Sequence, residues 1–124
     1  MAGLPSSDPE PLAALRGFFR IADSWHLDRG QRATLLAASE QSMDSWLVDA
    51  SAADLRHDQI ERLSYVIGIY SGLHAILGES PLADDWVRRP NADFDNAAPL
   101  DRMLAGPGDL VDVHRYVEAW RDGS

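Results

Sequence analysis

The chain has 124 residues, 45% of them hydrophobic, which suits one compact domain or two small subdomains sharing a core and is too apolar for a disordered segment. Its formal net charge is -9 and it has no lysine, all 11 basic residues being arginine, so at long range it repels phosphate backbones and favours a basic partner. Cysteine is absent, which excludes disulfides and thiolate chemistry; with no apolar run of membrane-spanning length and no basic, signal-like start, a soluble cytoplasmic protein is expected.

Residues 1–8 are small, polar and proline-containing and read as a disordered lead-in. Pro9 and Pro11 suit the first turn of a helix, after which Leu12, Leu15, Phe18, Phe19, Ala22 and Trp25 recur at helical spacing. Asp28 with Gln31 forms a capping pair for a short second helix through Leu35 and Leu36. Ala37 and Ala38 turn the chain, and Ser39 caps a third helix holding Met43, Trp46, Leu47 and Val48. Residues 9–52 thus have a helix-turn-helix-like layout. Asp49 to Asp54 reads as a linker.

A fourth helix carries the stripe Leu55, Ile60, Leu63, Ile67, Tyr70, Leu73 and Leu77 and stops at Gly78. Its roughly 22 residues would span about 33 Å. Gly68 and Gly72 on it weaken the helix by about 1 kcal/mol each relative to alanine, which points to another helix passing close by. Ser80 and Pro81 start a short helix through Trp86 and Val87, and Pro99 starts another through Met103 and Leu104. Gly106-Pro107-Gly108 reads as a hinge-like break before a last helix from about Asp109, with Leu110, Val113, Val117 and Trp120 on one seam. No stretch alternates as a strand does, so the fold class is all-α.

In a DNA-reading helix-turn-helix the second helix of the motif offers donors to bases and phosphates. Here that helix carries Glu40, Asp44 and Asp49 and no arginine, and phosphates would repel it. Arg29 and Arg32 on the preceding helix are the candidates for contact with a DNA backbone, a contact that positions without reading sequence. A helical unit kept for packing or self-association is the favoured reading. His26, His57, His74 and His114 are scattered without metal-ligand spacing, and His57, Asp58 and Glu61 read as a solvated helix face. No nucleophile elbow or phosphate loop is present, so no enzyme, cofactor or metal is expected.

The segment after Glu79 is the richest in functional signals. Trp86 sits at core spacing on a short helix that runs into Arg89-Pro90-Asn91, where Pro90 stops the helix and Asn91 ties down the turn. Phe94 plugs the loop, Pro99-Leu100 opens the next helix, and Trp120 lies four residues from the chain end, where an aromatic makes a natural interface anchor. This order resembles the toxin-binding domain of the Xre/MbcA/ParS antitoxins, with a looser match at Asp95-Asn96-Ala97-Ala98, where the family often has a glycine. The resemblance implies a toxin-binding domain over 55–124 and, as partner, a RES-domain toxin that degrades NAD or ADP-ribosylates a target. It implies that Val113 to Ser124 enters the toxin's NAD-binding cleft. The implied toxin-binding residues are Arg89, Asn91, Asp112, Arg115, Tyr116, Glu118, Trp120, Arg121 and Asp122, the carboxylates pairing with arginines of the toxin. A homodimer within a toxin–antitoxin hetero-oligomer is expected, and deletion of residues 115–124 is expected to abolish neutralisation while leaving the rest folded. A dimeric transcriptional regulator and a plain dimerisation module remain as alternatives.

Overall fold

The computed structural model describes residues 10–79 and 81–123. The lead-in at 1–8, Pro9 and the cap expected of Ser80 lie outside the described residues. Within them the chain forms seven α-helices and no strand: α1 (Glu10–Ser24), α2 (Arg29–Leu36), α3 (Glu40–Val48), α4 (His57–Leu77), α5 (Pro81–Asp85), α6 (Pro99–Ala105) and α7 (Pro107–Arg121). Single 3-10 turns occupy Ala50–Ala52, Trp86–Arg88 and Ala92–Phe94.

Local chemistry accounts for the helix starts. The Asp28 carboxylate accepts the Gln31 N–H at 2.8 Å, and the Gln31 side chain accepts the Asp28 N–H at 3.0 Å, a closed capping box on α2. Ser39 Oγ accepts the Ser42 N–H at 3.0 Å on α3, and Pro99 and Pro107 stand in the first turns of α6 and α7. Between α2 and α3, Ala37 adopts the left-handed conformation (φ 53). Its carbonyl accepts from Arg56 Nη2 at 3.1 Å and from Gln59 Nε2 at 3.2 Å, so the start of α4 clasps the turn. Gln59 is 2% exposed and satisfied at both ends, its oxygen taking the Arg56 N–H. The stretch expected as a linker is a pinned turn, with Asp49 accepting the Ser51 N–H at 3.1 Å.

One core runs through the molecule, from Leu15, Phe18 and Trp25 on α1 through Leu35 and Leu36 on α2 to Leu110, Val113 and Val117 on α7. Helix α4 lies between the layers and is covered on more than one side. Besides Gln59, its buried residues are Leu63, Val66, Ile69, Gly72 and Leu73, whereas Ile60, Ile67 and Tyr70 are only half-buried. The expected stripe is therefore rotated, because a helix packed on several flanks needs apolar residues beyond one face. Ile60, Ile67 and Tyr70 instead wall an open groove of about 910 Å³ against Ala14, Gly17 and Ile21 of α1.

Gly68 and Gly72 mark where α7 crosses α4. A Cβ at Gly72 would stand 2.5 Å from Val117 Cγ1, and one at Gly68 would stand 2.6 Å from His114 Nε2. The expected hinge at Gly106-Pro107-Gly108 is corrected by the same packing. Only Gly106 separates α6 from α7, in extended backbone, and Pro107 and Gly108 form the first turn of α7. The last helix thus begins at Pro107 rather than near Asp109, and lies against the body of the protein. Deletion of residues 115–124 would remove Val117, which is 1% exposed, so the rest is not left intact.

Candidate functional site

Helix α7 turns one face to the core, and the sequence-derived candidates on it divide between its two flanks and the crest between them. On one flank Tyr116 and Trp120 join an aromatic cluster with Trp86 and Phe94. Trp86 stacks on Tyr116 with ring centroids 5.9 Å apart and planes inclined by 23°, and it lies 5.9 Å from Trp120. Phe94 meets Tyr116 at 5.0 Å and Trp86 at 6.3 Å. Phe94 is buried, Trp86 and Tyr116 are half-buried, and Trp120 is 36% exposed, so the cluster grades from core to water across α7.

The loop of Asn91 holds this flank in place. The Asn91 side chain accepts the Asp93 N–H at 2.9 Å, and its backbone carbonyl accepts from Phe94 and Asn96. Asp93, so fixed, accepts the Tyr116 hydroxyl at 2.6 Å. That hydrogen bond, then partial withdrawal from water and the nearby carboxylate charge, raise Tyr116 above the ordinary phenol range. Asp93 was not among the sequence candidates, because its partner lies on a different element.

The other flank carries the ionic groups. His114 lies 3.2 Å from Glu118, which in turn holds Arg121 at 2.6 Å, and the His114 ring meets Tyr65 of α4 at 5.2 Å. Asp112 and Arg115 stand on the exposed crest between the flanks, 3.9 Å apart, and Asp122 lies 3.8 Å from Arg121. Arg89 is exposed beside Asp85 at 4.0 Å. The structure therefore brings Asn91, Tyr116 and Trp120 together and sets Glu118 and Arg121 apart from them. Exposed pairs of this kind contribute little to stability and leave their charges available to a partner.

Arg29 and Arg32, the candidates for a DNA backbone, are engaged within the chain. Arg29 Nε donates to both oxygens of Asp44 at 3.0 and 3.1 Å, and its Nη1 donates to Glu40 at 2.9 Å. The hydrogen bond from Arg29 holds Asp44 below the usual carboxylate range, and the same contact raises Arg29. Arg32 donates to the Leu27 carbonyl at 3.0 Å and to Asp23 at 2.8 Å. No group of three or more histidines and carboxylates among the described residues could hold a metal ion, and no described helix is long and apolar enough to cross a membrane.

Comparison with known proteins matches both parts of this architecture. Residues 1–68 match the antitoxin Xre-like helix-turn-helix domain, and residues 73–123 match the antitoxin Xre/MbcA/ParS C-terminal toxin-binding domain. The chain is also 40% identical to the uncharacterized protein y4oB of Sinorhizobium fredii (strain NBRC 101917 / NGR234), across 96% of this chain and 93% of that protein. The aromatic cluster and the whole exposed surface of α7 fall inside the toxin-binding match, and α1 to α3 inside the helix-turn-helix match. The chain belongs to the Xre/MbcA/ParS antitoxins, all-helical proteins in which an Xre-like helix-turn-helix domain precedes a domain that binds a toxin.

Proposed function

We propose that this antitoxin neutralises a RES-domain toxin, acting as a homodimer in a type II toxin–antitoxin complex and seating the end of α7 in the toxin's active-site cleft. The reading assigns no reaction to the chain itself. Its main support is Trp120: an indole in the last turn of α7, 36% exposed, on a cluster that already fixes its neighbours Trp86 and Tyr116. A preordered aromatic loses little conformational freedom on docking, which makes it a strong anchor. Asp112 and Arg115 on the crest of α7, and Glu118, Arg121 and Asp122 beyond it, offer both signs of charge to the toxin's rim. Because α7 belongs to the core, the blocking element is its exposed C-terminal end rather than a detached tail.

The test is co-expression with a RES-domain toxin, taken from the neighbouring reading frame where that encodes one, scoring growth and cellular NAD. The parent chain restores growth; Trp120→Glu loses the rescue while its thermal melt stays within a few degrees of the parent. Full rescue by Trp120→Glu, or no rescue by the parent, overturns the reading. Promoter binding is a second reading, supported by the helix-turn-helix match and opposed by the acidic α3 and the engaged Arg29 and Arg32. A salt-sensitive gel shift on its own upstream DNA is the result that favours it.

A further inference from the structure

Helix α3 ends in two side chains that the fold leaves uncovered. Met43 is buried and Trp46 half-buried, but Leu47 is 59% exposed and Val48 is 89% exposed. Leu47 stands between two hollows. One, of about 350 Å³, lies between α1 and the end of α3 and is lined by Phe19 and Trp46 together with Arg16, Arg20 and Asp49. The other, of about 480 Å³, is lined by Phe19, Leu27 and Met43 with Arg29 and Asp44 at its edge.

This surface has what a two-fold contact requires. An isologous interface must be complementary to itself, so a protruding apolar group needs a fitting hollow on the same patch. Here the projection (Leu47 and Val48) and the hollows are adjacent, and their lining carries both signs, with Arg16 and Arg20 on α1, Asp44 on α3 and Asp49 just past its end. A nucleic acid fits poorly, since α3 offers no cation and Arg29 is held by Asp44 and Glu40. An unrelated partner would not need projection and hollow on one patch.

We infer that the Leu47–Val48 end of α3, with the Phe19-lined hollows beside it, is the surface through which two copies of this chain associate. The inference rests on the homodimer in the reading above, and it names the surface without depending on the toxin's identity. The position at which a DNA-reading antitoxin offers donors to bases is here given to self-association.

The experiment measures the mass of the full chain by sedimentation equilibrium over a concentration series. The parent chain is a dimer, and Leu47→Glu with Val48→Glu shifts it to monomer, weakening association about thirtyfold or more. Both side chains are exposed, so the variant keeps the parent's helical circular dichroism, its melt falling only by what is lost with the dimer, and the monomer still captures the co-expressed toxin. Because the chain lacks cysteine, a second arm places a single thiol. Val48→Cys gives covalent dimers with a short bismaleimide, and Leu82→Cys, 52% exposed on α5, gives none. A parent chain that is monomeric overturns the homodimer reading and this surface together. A parent dimer that survives Leu47→Glu/Val48→Glu, or cross-links equally through either thiol, removes this surface and leaves the homodimer standing. Loss of toxin capture in the double variant assigns the patch to the toxin and also overturns the inference.

Discussion

Gly72 is the residue where identity matters most, because its missing Cβ is filled by Val117. Gly72→Ala gains about 1 kcal/mol in helix propensity but forces a methyl into a β-branched neighbour that cannot swing aside, at about 1–3 kcal/mol of overpacking. The net expectation is a loss of up to about 2 kcal/mol, read as a melting temperature several degrees lower. Val117→Ala opens the space, so Gly72→Ala/Val117→Ala is more stable than the two single losses added together; strict additivity in the melts would contradict the crossing described. Gly68→Ala meets the outer end of the His114 ring instead, whose side chain is 21% exposed and free to rotate outward. That variant is expected near the parent in stability, with the His114 ring swung away from Glu118. Tyr116 offers a separate test. Its raised pKa means that its share of stability is complete below the ordinary phenol value of 10.0 and is lost as pH rises through the higher folded value. Asp93→Ala removes both the acceptor and its charge, so in an absorbance titration one tyrosine moves to lower pH; an unchanged titration would refute the assignment.

Helix ends were legible in the sequence wherever the capping partners lie within three residues. Asp28 with Gln31, Ser39 and Pro99 announce α2, α3 and α6 through local hydrogen bonds and fixed φ, whereas Pro107, read as part of a break, is the first residue of α7. Contacts across the chain were not legible. Arg88 donates to the carbonyls of Trp25 and His26 at 2.8 and 2.6 Å, placing a cation on the C-terminal end of α1 from more than sixty positions away. Arg62 does the same for α2, at 3.2 Å from the Leu35 carbonyl. Nothing in the residues around Arg88 or Arg62 specifies those targets. The rotation of the α4 stripe was hidden for a related reason, since one apolar helix reads alike whether one flank or three are covered. Leu47 and Val48 invert the usual inference, being apolar by type and exposed by position. On α7 the sequence singled out Tyr116 and Trp120, but their union with Trp86 and Phe94 and the support of Tyr116 by Asp93 emerged only from the fold.

The molecule is bound together by α7 as much as by α4, and truncation separates stability from binding. Removing residues 121–124 takes away Arg121, Asp122 and Gly123, all exposed, and is expected to leave the melt close to the parent's. Removing residues 115–124 also takes Val117, whose burial is worth about 1.5–3 kcal/mol, and the Tyr116 and Trp120 ring contacts at about 0.5–1.5 kcal/mol each. Against a total stability of about 5–15 kcal/mol this loss is large, so the longer deletion melts early or fails to fold. A melt unchanged by the longer deletion would show that α7 does not pack as described. The two matched regions end and begin at residues 68 and 73, inside the single helix His57–Leu77. No flexible joint lies between the half that carries the helix-turn-helix and the half that meets the toxin. Anyone grafting a new specificity onto this scaffold must splice within one turn of an unbroken rod, where a single inserted residue rotates everything downstream by about 100°. Exchange between such antitoxins would succeed only when phase is conserved at the splice, however well the two donors fold on their own.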